Sequence, residues 1–183
     1  MELIETKIEG LYEVIQNKIS DERGVFERLY CADELVEIFK GEKIMQVNHS
    51  LNFQVGTLRG LHYQLQPFAE IKFVNCIRGR IYDVAVDLRR NSETFLKFHS
   101  LELSPGGNSG LLIPKGCAHG FQVLEPDSEI IYFHTAKYAP QFERGIRFND
   151  PKVSINWPLK VGTVSKKDSC YPLLTNDFEG LEL

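Results

Sequence analysis

The chain has 183 residues, 43% hydrophobic and 25% charged, the profile of a one-domain globular protein able to bury a sizeable core. A net charge of -4 argues against general nucleic-acid binding, which needs a basic surface, and leaves open a local arginine cluster that grips a small anion. No apolar run approaches the roughly 18 residues of a membrane span, and MELIETKIEG lacks the apolar stretch of a signal peptide.

In chain order, residues 1–30 read as two strands (LYEVIQNKI, VFERLY) around the turn Ser20-Asp21-Glu22-Arg23-Gly24. ADELVEIFKG, 32–41, is the best helix: Leu35, Val36 and Phe39 share a face and Gly41 can cap the end. From 44 to 135 strand follows strand. KFVNCI and RIYDVAVDL flank the turn Arg78-Gly79-Arg80, FLKFHSLEL follows, and Ser104-Pro105-Gly106-Gly107-Asn108 marks a loop. GLLIP then leads into a glycine-bracketed turn, Lys115 to Phe121, before the strands FQVL and EIIYFHT. Many short strands with glycine and proline turns predict an all-β sandwich or jelly-roll barrel. There is no internal repeat, so a single domain, 1–183, is expected, with a core of about 21–140 and a polar extension of about 141–183 that carries the only tryptophan, Trp157. Cys31, Cys76, Cys117 and Cys170 lie too far apart for a zinc motif and read as free thiols of a reducing cytosol.

Several residues invite a chemical reading beside a bland one. In RGLHYQ, Arg59 and His62 stand at i and i+3, which in a regular strand face opposite ways; Gly60 between them permits a bulge that re-aims one. His62 and His119 are each satisfied structural histidines by default and general bases by function. Lys72, inside the apolar EIKFVNC, is costly there unless it snorkels or does a job. Tyr132 reads as packing or as a barrel-lining phenol. Arg23 and Arg59 are solvated charges or phosphate grips. Asp168, in SKKDS, is a surface charge or an acid that orients a histidine. A metal is not expected: His62 is followed by Tyr63-Gln64, so there is no HxH, and His49 and His99 have no partner at ligand spacing.

Taken together, GTLRGLHYQ, Pro67-x-Ala69-x-x-Lys72, RGRIYDVAVDLRRNSETF, IPKGCAHGF, YAPQFERGIRFNDP and INWPL resemble, in order and spacing, the dTDP-4-dehydrorhamnose 3,5-epimerase family, from about Asp21 to Leu174. The resemblance implies an all-β, cupin-type jelly roll with short helices and a C-terminal extension. It implies a cytoplasmic homodimer that exchanges N-terminal strands and works without metal or cofactor. The substrate would be a nucleotide 4-keto-6-deoxy sugar, with neither nucleic acid nor membrane as a partner. By resemblance His62 is the base, oriented by Asp168; Tyr132 is the acid on the opposite face; Lys72 meets the developing enolate oxygen. Arg23, Arg59 and His119 hold the pyrophosphate region, Tyr138 stacks near the nucleotide base, and Phe26, Gln46, Asn48, Glu143 and Lys167 match further substrate-contact positions.

Four features depart from the family pattern. Arg28 stands where an acid is usual, and Val47 where the family has Asp in Gln-Asp-Asn. Glu70-Ile71 replaces Gln-Gly before Lys72, and Phe133 replaces the lysine that commonly follows the tyrosine. They keep two alternatives open within the class: inversion of one carbon, C3 or C5, or another nucleotide sugar. Outside the class stand a cupin that binds a sugar nucleotide without turnover and a metal-dependent cupin oxygenase.

Overall fold

The structure, a computed structural model, describes residues 1–107 and 110–183; Asn108, in the expected loop, lies outside the described residues. Thirteen strands and two one-turn helices are described among them. A six-stranded antiparallel sheet combines β1 (Glu2–Glu5), β2 (Tyr12–Ile15), β5 (Gln46–Asn52), β7 (Lys72–Arg78), β10 (Gly110–Ile113) and β12 (Ser128–His134) in the order β1-β2-β10-β7-β12-β5. A five-stranded sheet is built from β6 (Leu58–Gln64), β8 (Ile81–Asp87), β9 (Phe98–Leu103), β11 (Cys117–Val123) and β13 (Glu143–Gly145), ordered β13-β6-β11-β8-β9. Among the described residues the hairpin of β3 (Lys18–Asp21) and β4 (Gly24–Glu27) forms a separate two-stranded sheet. This is the all-β jelly roll that the strand-and-turn pattern predicts.

Alternation along the strands explains the layering. Val74, Cys76, Leu111 and Ile130 from one sheet meet Ile81, Ala85, Phe121 and Val123 from the other in the inner core. Their neighbours point outward and are buried as well. Phe73 and Leu112 pack under Leu35 and Phe39, while Val84, Val86 and Ala118 lie under Ile146, Val153 and Trp157. Burial on both faces is why β7, β8 and β10 read as apolar runs. The C-terminal segment is stitched on by polar pairs: Gln122 exchanges two 3.0 Å bonds with the backbone of Leu159.

Three sequence expectations need correction. The first 30 residues form four strands, not two, because β1 and β2 join the large sheet through β10 while β3 and β4 turn away. The helix over 32–41 shrinks to α1 (Val36–Phe39), because Lys40 and Gly41 both take left-handed backbone (φ 48° and 85°). Val36 is 52% exposed rather than sharing the buried face of Leu35 and Phe39. Residues 117–121 are strand, not turn. Gly120 is there for close approach: a Cβ on it would lie 2.6 Å from the Arg59 carbonyl oxygen.

Candidate active site

One cleft of about 270 Å³ opens between the two sheets, and its walls come from six strands, the residue Glu70 just before β7 and the loop after β12. Gln46, Asn48, Arg59, His62, Lys72, His119, Tyr132, Tyr138 and Glu143 all line it. Sequence neighbours do not predict this convergence; strand alternation and one irregularity produce it.

The irregularity lies in β6. Opposite β11, His62 pairs with His119 and Arg59 with Phe121, so three steps along β6 face two along β11. The extra residue is the bulge that the sequence allowed, and it brings Arg59 and His62 to the same cleft. Gly60 makes it possible: its φ is 119°, and a Cβ would sit 2.5 Å from Gly120 Cα. Asp168 secures the bulge from below. One carboxylate oxygen accepts from the Gly60 N–H at 3.1 Å and the other from His62 Nε2 at 2.8 Å. Helix α2 (Lys166–Ser169) delivers it, capped by Ser165, whose Oγ accepts from Asp168 N. Asp168 is only 4% exposed, so the surface-charge reading fails. Burial alone would raise its carboxyl, but His62, the Gly60 N–H and Ser165 together outweigh that and hold it below the usual range. An ionised carboxylate can only accept, so in the neutral ring the His62 proton belongs on Nε2, with the lone pair on Nδ1.

His119, expected in a turn, sits in mid-strand, buried, with Nε2 2.7 Å from Asp83. Burial pushes its pKa down despite that carboxylate, which keeps the ring neutral.

The facing wall comes from β12, β5 and β7. Tyr132 and His134 are two apart and share a side; in register they meet Asn48 and Gln46 on β5 and Val74 and Lys72 on β7. The Tyr132 hydroxyl lies 2.9 Å from Ser50 Oγ, and burial drives its pKa far above that of a free phenol. Lys72 is tethered by Glu70 at 3.5 Å, and the same carboxylate takes His134 Nδ1 at 2.9 Å. Glu70 stays ionised: burial would raise its carboxyl, but Lys72 and His134 hold it below the usual range. Arg59 Nε donates to Asn52 at 2.7 Å. At the rim, the Tyr138 hydroxyl donates to Glu143 at 2.8 Å, and Lys167 pairs with the same carboxylate.

Arg23 and Phe26 are not brought to this cleft. They lie on the β3–β4 hairpin, where Phe26 is 71% exposed and Arg23 bonds Asp21. Sequence reasoning noted Glu70 only as a departure and passed over His134, Asp83 and Ser50. The signal for His134 was available, since it stands two residues from Tyr132 on a strand. Among the described residues no group of three or more His, Cys, Asp or Glu is set to hold a metal ion.

The model of the dTDP-4-dehydrorhamnose 3,5-epimerase family matches residues 5–176. The chain belongs to this family. A relative named dTDP-4-dehydrorhamnose 3,5-epimerase from Sinorhizobium fredii is 42% identical over 86% of this chain and 81% of its own length. The solved structure of a dTDP-6-deoxy-D-glucose-3,5-epimerase from Legionella pneumophila, in complex with dTDP-4-keto-L-rhamnose, superposes with a TM-score of 0.88. It is 37% identical and covers 94% of this chain and 92% of its own. A 3′-monoepimerase from Streptomyces bikiniensis, in complex with dTDP-quinovose, is also similar, with a TM-score of 0.85, 29% identity and coverage of 92% and 85%. Members of the epimerase family are isomerases acting on carbohydrates, and the cupin-type barrel described above is their fold.

Proposed function

We propose that the chain inverts C3 and C5 of a dTDP-linked 4-keto-6-deoxy-glucose by proton removal on one face and proton delivery on the other. The observation that carries this reading is that His62, bonded to buried Asp168, and Tyr132 stand on opposing sheets across one cleft. A ketone at C4 acidifies the hydrogens at C3 and C5. His62 Nδ1 takes one of them, and the electron pair moves onto the C4 oxygen as an enolate. The ammonium of Lys72 stabilises that oxygen, the kind of charge stabilisation that dominates such catalysis. Tyr132, held protonated by burial, delivers a proton to the carbon from the other side. Each inversion leaves His62 protonated and Tyr132 ionised, so both exchange with solvent before the next. The substrate's own ketone stores the charge, and the proposed steps need no further group. Arg59 and His119 take the pyrophosphate region, and Tyr138, Gln46, Asn48, Glu143 and Lys167 hold the rest of the nucleotide sugar.

Arg23 and Phe26 fit this scheme only through a second copy. Ile19, Val25 and Phe26 are exposed on the hairpin at 66%, 64% and 71%, an apolar patch that calls for a cover. The proposed assembly is a homodimer in which each hairpin reaches the partner's cleft. Four free cysteines, two of them buried, support a place in the cytoplasm. Among the described residues no helix is long and apolar enough to cross a membrane.

The similarity to a 3′-monoepimerase favours a second reading, inversion at C3 alone. Incubation with dTDP-4-keto-6-deoxyglucose in deuterated buffer, followed by proton NMR, separates the two. Deuterium at both C3 and C5 supports the first reading; deuterium at C3 alone supports the second. Uptake at neither carbon, from this or any other nucleotide 4-keto sugar, sinks both.

A further inference from the structure

The structure assigns a positioning role to Glu70 and His134: through a one-way string of hydrogen bonds they fix the orientation of the Asn48 and Gln46 amides on the cleft wall. This rests on the proposed epimerase reading for what the cleft binds, but its geometry stands on its own. The string runs along one row of the six-stranded sheet, where Gln46, His134 and Lys72 are in register on adjacent strands. The Tyr138 N–H donates to Gln46 Oε1 at 3.0 Å, and Gln46 Nε2 donates to Asn48 Oδ1 at 3.0 Å. Asn48 Nδ2 then lies 3.3 Å from His134 Nε2, and His134 Nδ1 lies 2.9 Å from Glu70.

Both ends of this string have a fixed polarity. A backbone N–H only donates, and an ionised carboxylate only accepts. The four intervening contacts therefore have one consistent assignment, with every donor pointing toward Glu70. His134 must carry its proton on Nδ1 and offer a bare Nε2 to Asn48. The opposite tautomer would set its Nδ1 lone pair against the carboxylate. It would also turn Asn48 and Gln46 over, so that the Gln46 NH₂ met the Tyr138 N–H. The first clash would be partly buried, since the side chains of Glu70 and His134 are only 10% and 12% exposed, whereas the second would lie at the exposed end of the string.

The consequence is a cleft wall of defined chemistry. With its carbonyl oxygen and one N–H engaged, each amide keeps a second N–H for a ligand. Gln46 and Asn48 thus read oxygen acceptors, such as the carbonyl, hydroxyl or phosphate oxygens of a nucleotide sugar. Glu70 ties this wall to the catalytic side, because its other oxygen tethers Lys72. Glu70 is one of the positions where the sequence leaves the family pattern.

Long-range ¹⁵N–¹H NMR of the ligand-free protein at neutral pH reads the tautomer directly. A protonated Nδ1 and a bare Nε2 on His134 are expected; a protonated Nε2 would overturn the assignment. Kinetics test the consequence. His134→Ala should raise KM for the 4-keto sugar nucleotide by about tenfold and lower kcat by less than about threefold, the loss of one well-placed hydrogen bond in binding. His134→Gln, whose amide can accept from Asn48 and donate to Glu70, should recover most of that KM. An unchanged KM in His134→Ala, or no recovery in His134→Gln, would overturn the role. If the wild-type protein takes up no deuterium from any 4-keto sugar, the epimerase reading fails, and the tautomer still decides the assignment.

Discussion

The cleft and the β3–β4 hairpin use the same kinds of residue to different ends. Each contains an Asp-x-Arg or His–Asp pair with good geometry, and each was expected from the sequence to touch the substrate. In the cleft the pairs are buried and cross-braced: Asp168 serves both His62 and the Gly60 backbone. On the hairpin, the side chains of Asp21 and Arg23 bond each other in open solvent, with no further side-chain partner among the described residues. The difference teaches that a polar pair gains a defined task where other elements close over it. The cleft is closed by its own chain; the hairpin has a use only if another surface meets it.

The largest expected effect tests the cleft. His62→Asn should cut kcat/KM by about 10³-fold or more, and Asp168→Asn by about 10²-fold, with deuterium uptake lost in parallel. Wild-type rates in His62→Asn would remove this histidine from the chemistry. Tyr132→Phe should abolish inversion while leaving some deuterium exchange on the His62 face. Loss of both together would mean that the tyrosine serves the base rather than the opposite face.

A mixing experiment tests the hairpin. Arg23→Ala should raise KM by about tenfold, as expected for one lost charge-assisted contact. At substrate well below KM, co-refolding equal amounts of Arg23→Ala and His62→Asn should then restore about a quarter of wild-type activity, since half the dimers are mixed and each carries one intact cleft. Activity no higher than the mean of the two parents would show that each hairpin serves its own chain, or nothing.

The smallest effect concerns stability. Asp87–Arg89 has the same local geometry as Asp21–Arg23, backbone N–H bond included, but Asp87 is fully buried and also accepts from Ser92 and Thr94. Burial would raise the Asp87 carboxyl, yet those bonds bring it down to about 2 from an ordinary 3.8. A depressed native pKa means that the unfolded chain binds the extra proton. The stabilisation is therefore complete above the unfolded value and is lost as pH falls through the native one. Asp87→Asn should destabilise by roughly 2 kcal/mol at neutral pH and flatten the loss of stability between about pH 5 and 2. Asp21→Asn should leave the melting temperature unchanged, since its ion pair is exposed. Equal effects of the two substitutions would break the comparison.

Much of the barrel and of the cleft was legible along the chain. Runs such as RIYDVAVDL and GLLIP fixed an all-β barrel, because two-sided burial needs unbroken apolar strands. RGLHYQ announced its bulge, because glycine is the residue that tolerates the close approach to Gly120. The motif order carried the family and, with it, nine residues that do converge on one cleft. Only the tertiary structure decided the rest. His119 looked like a turn residue because glycine marks both turns and close strand crossings, and local sequence does not separate them. Asp168, taken alone, read as a surface charge or an orienting acid, because its burial depends on how a segment more than a hundred residues away docks against β6. Glu70, His134, Asn48 and Gln46 are scattered over some 90 positions, and their alignment into one string exists only in the register of three adjacent strands. Periodicity is a local property and can be read along the chain, whereas partners, burial and hydrogen-bond direction belong to the pairing of distant segments.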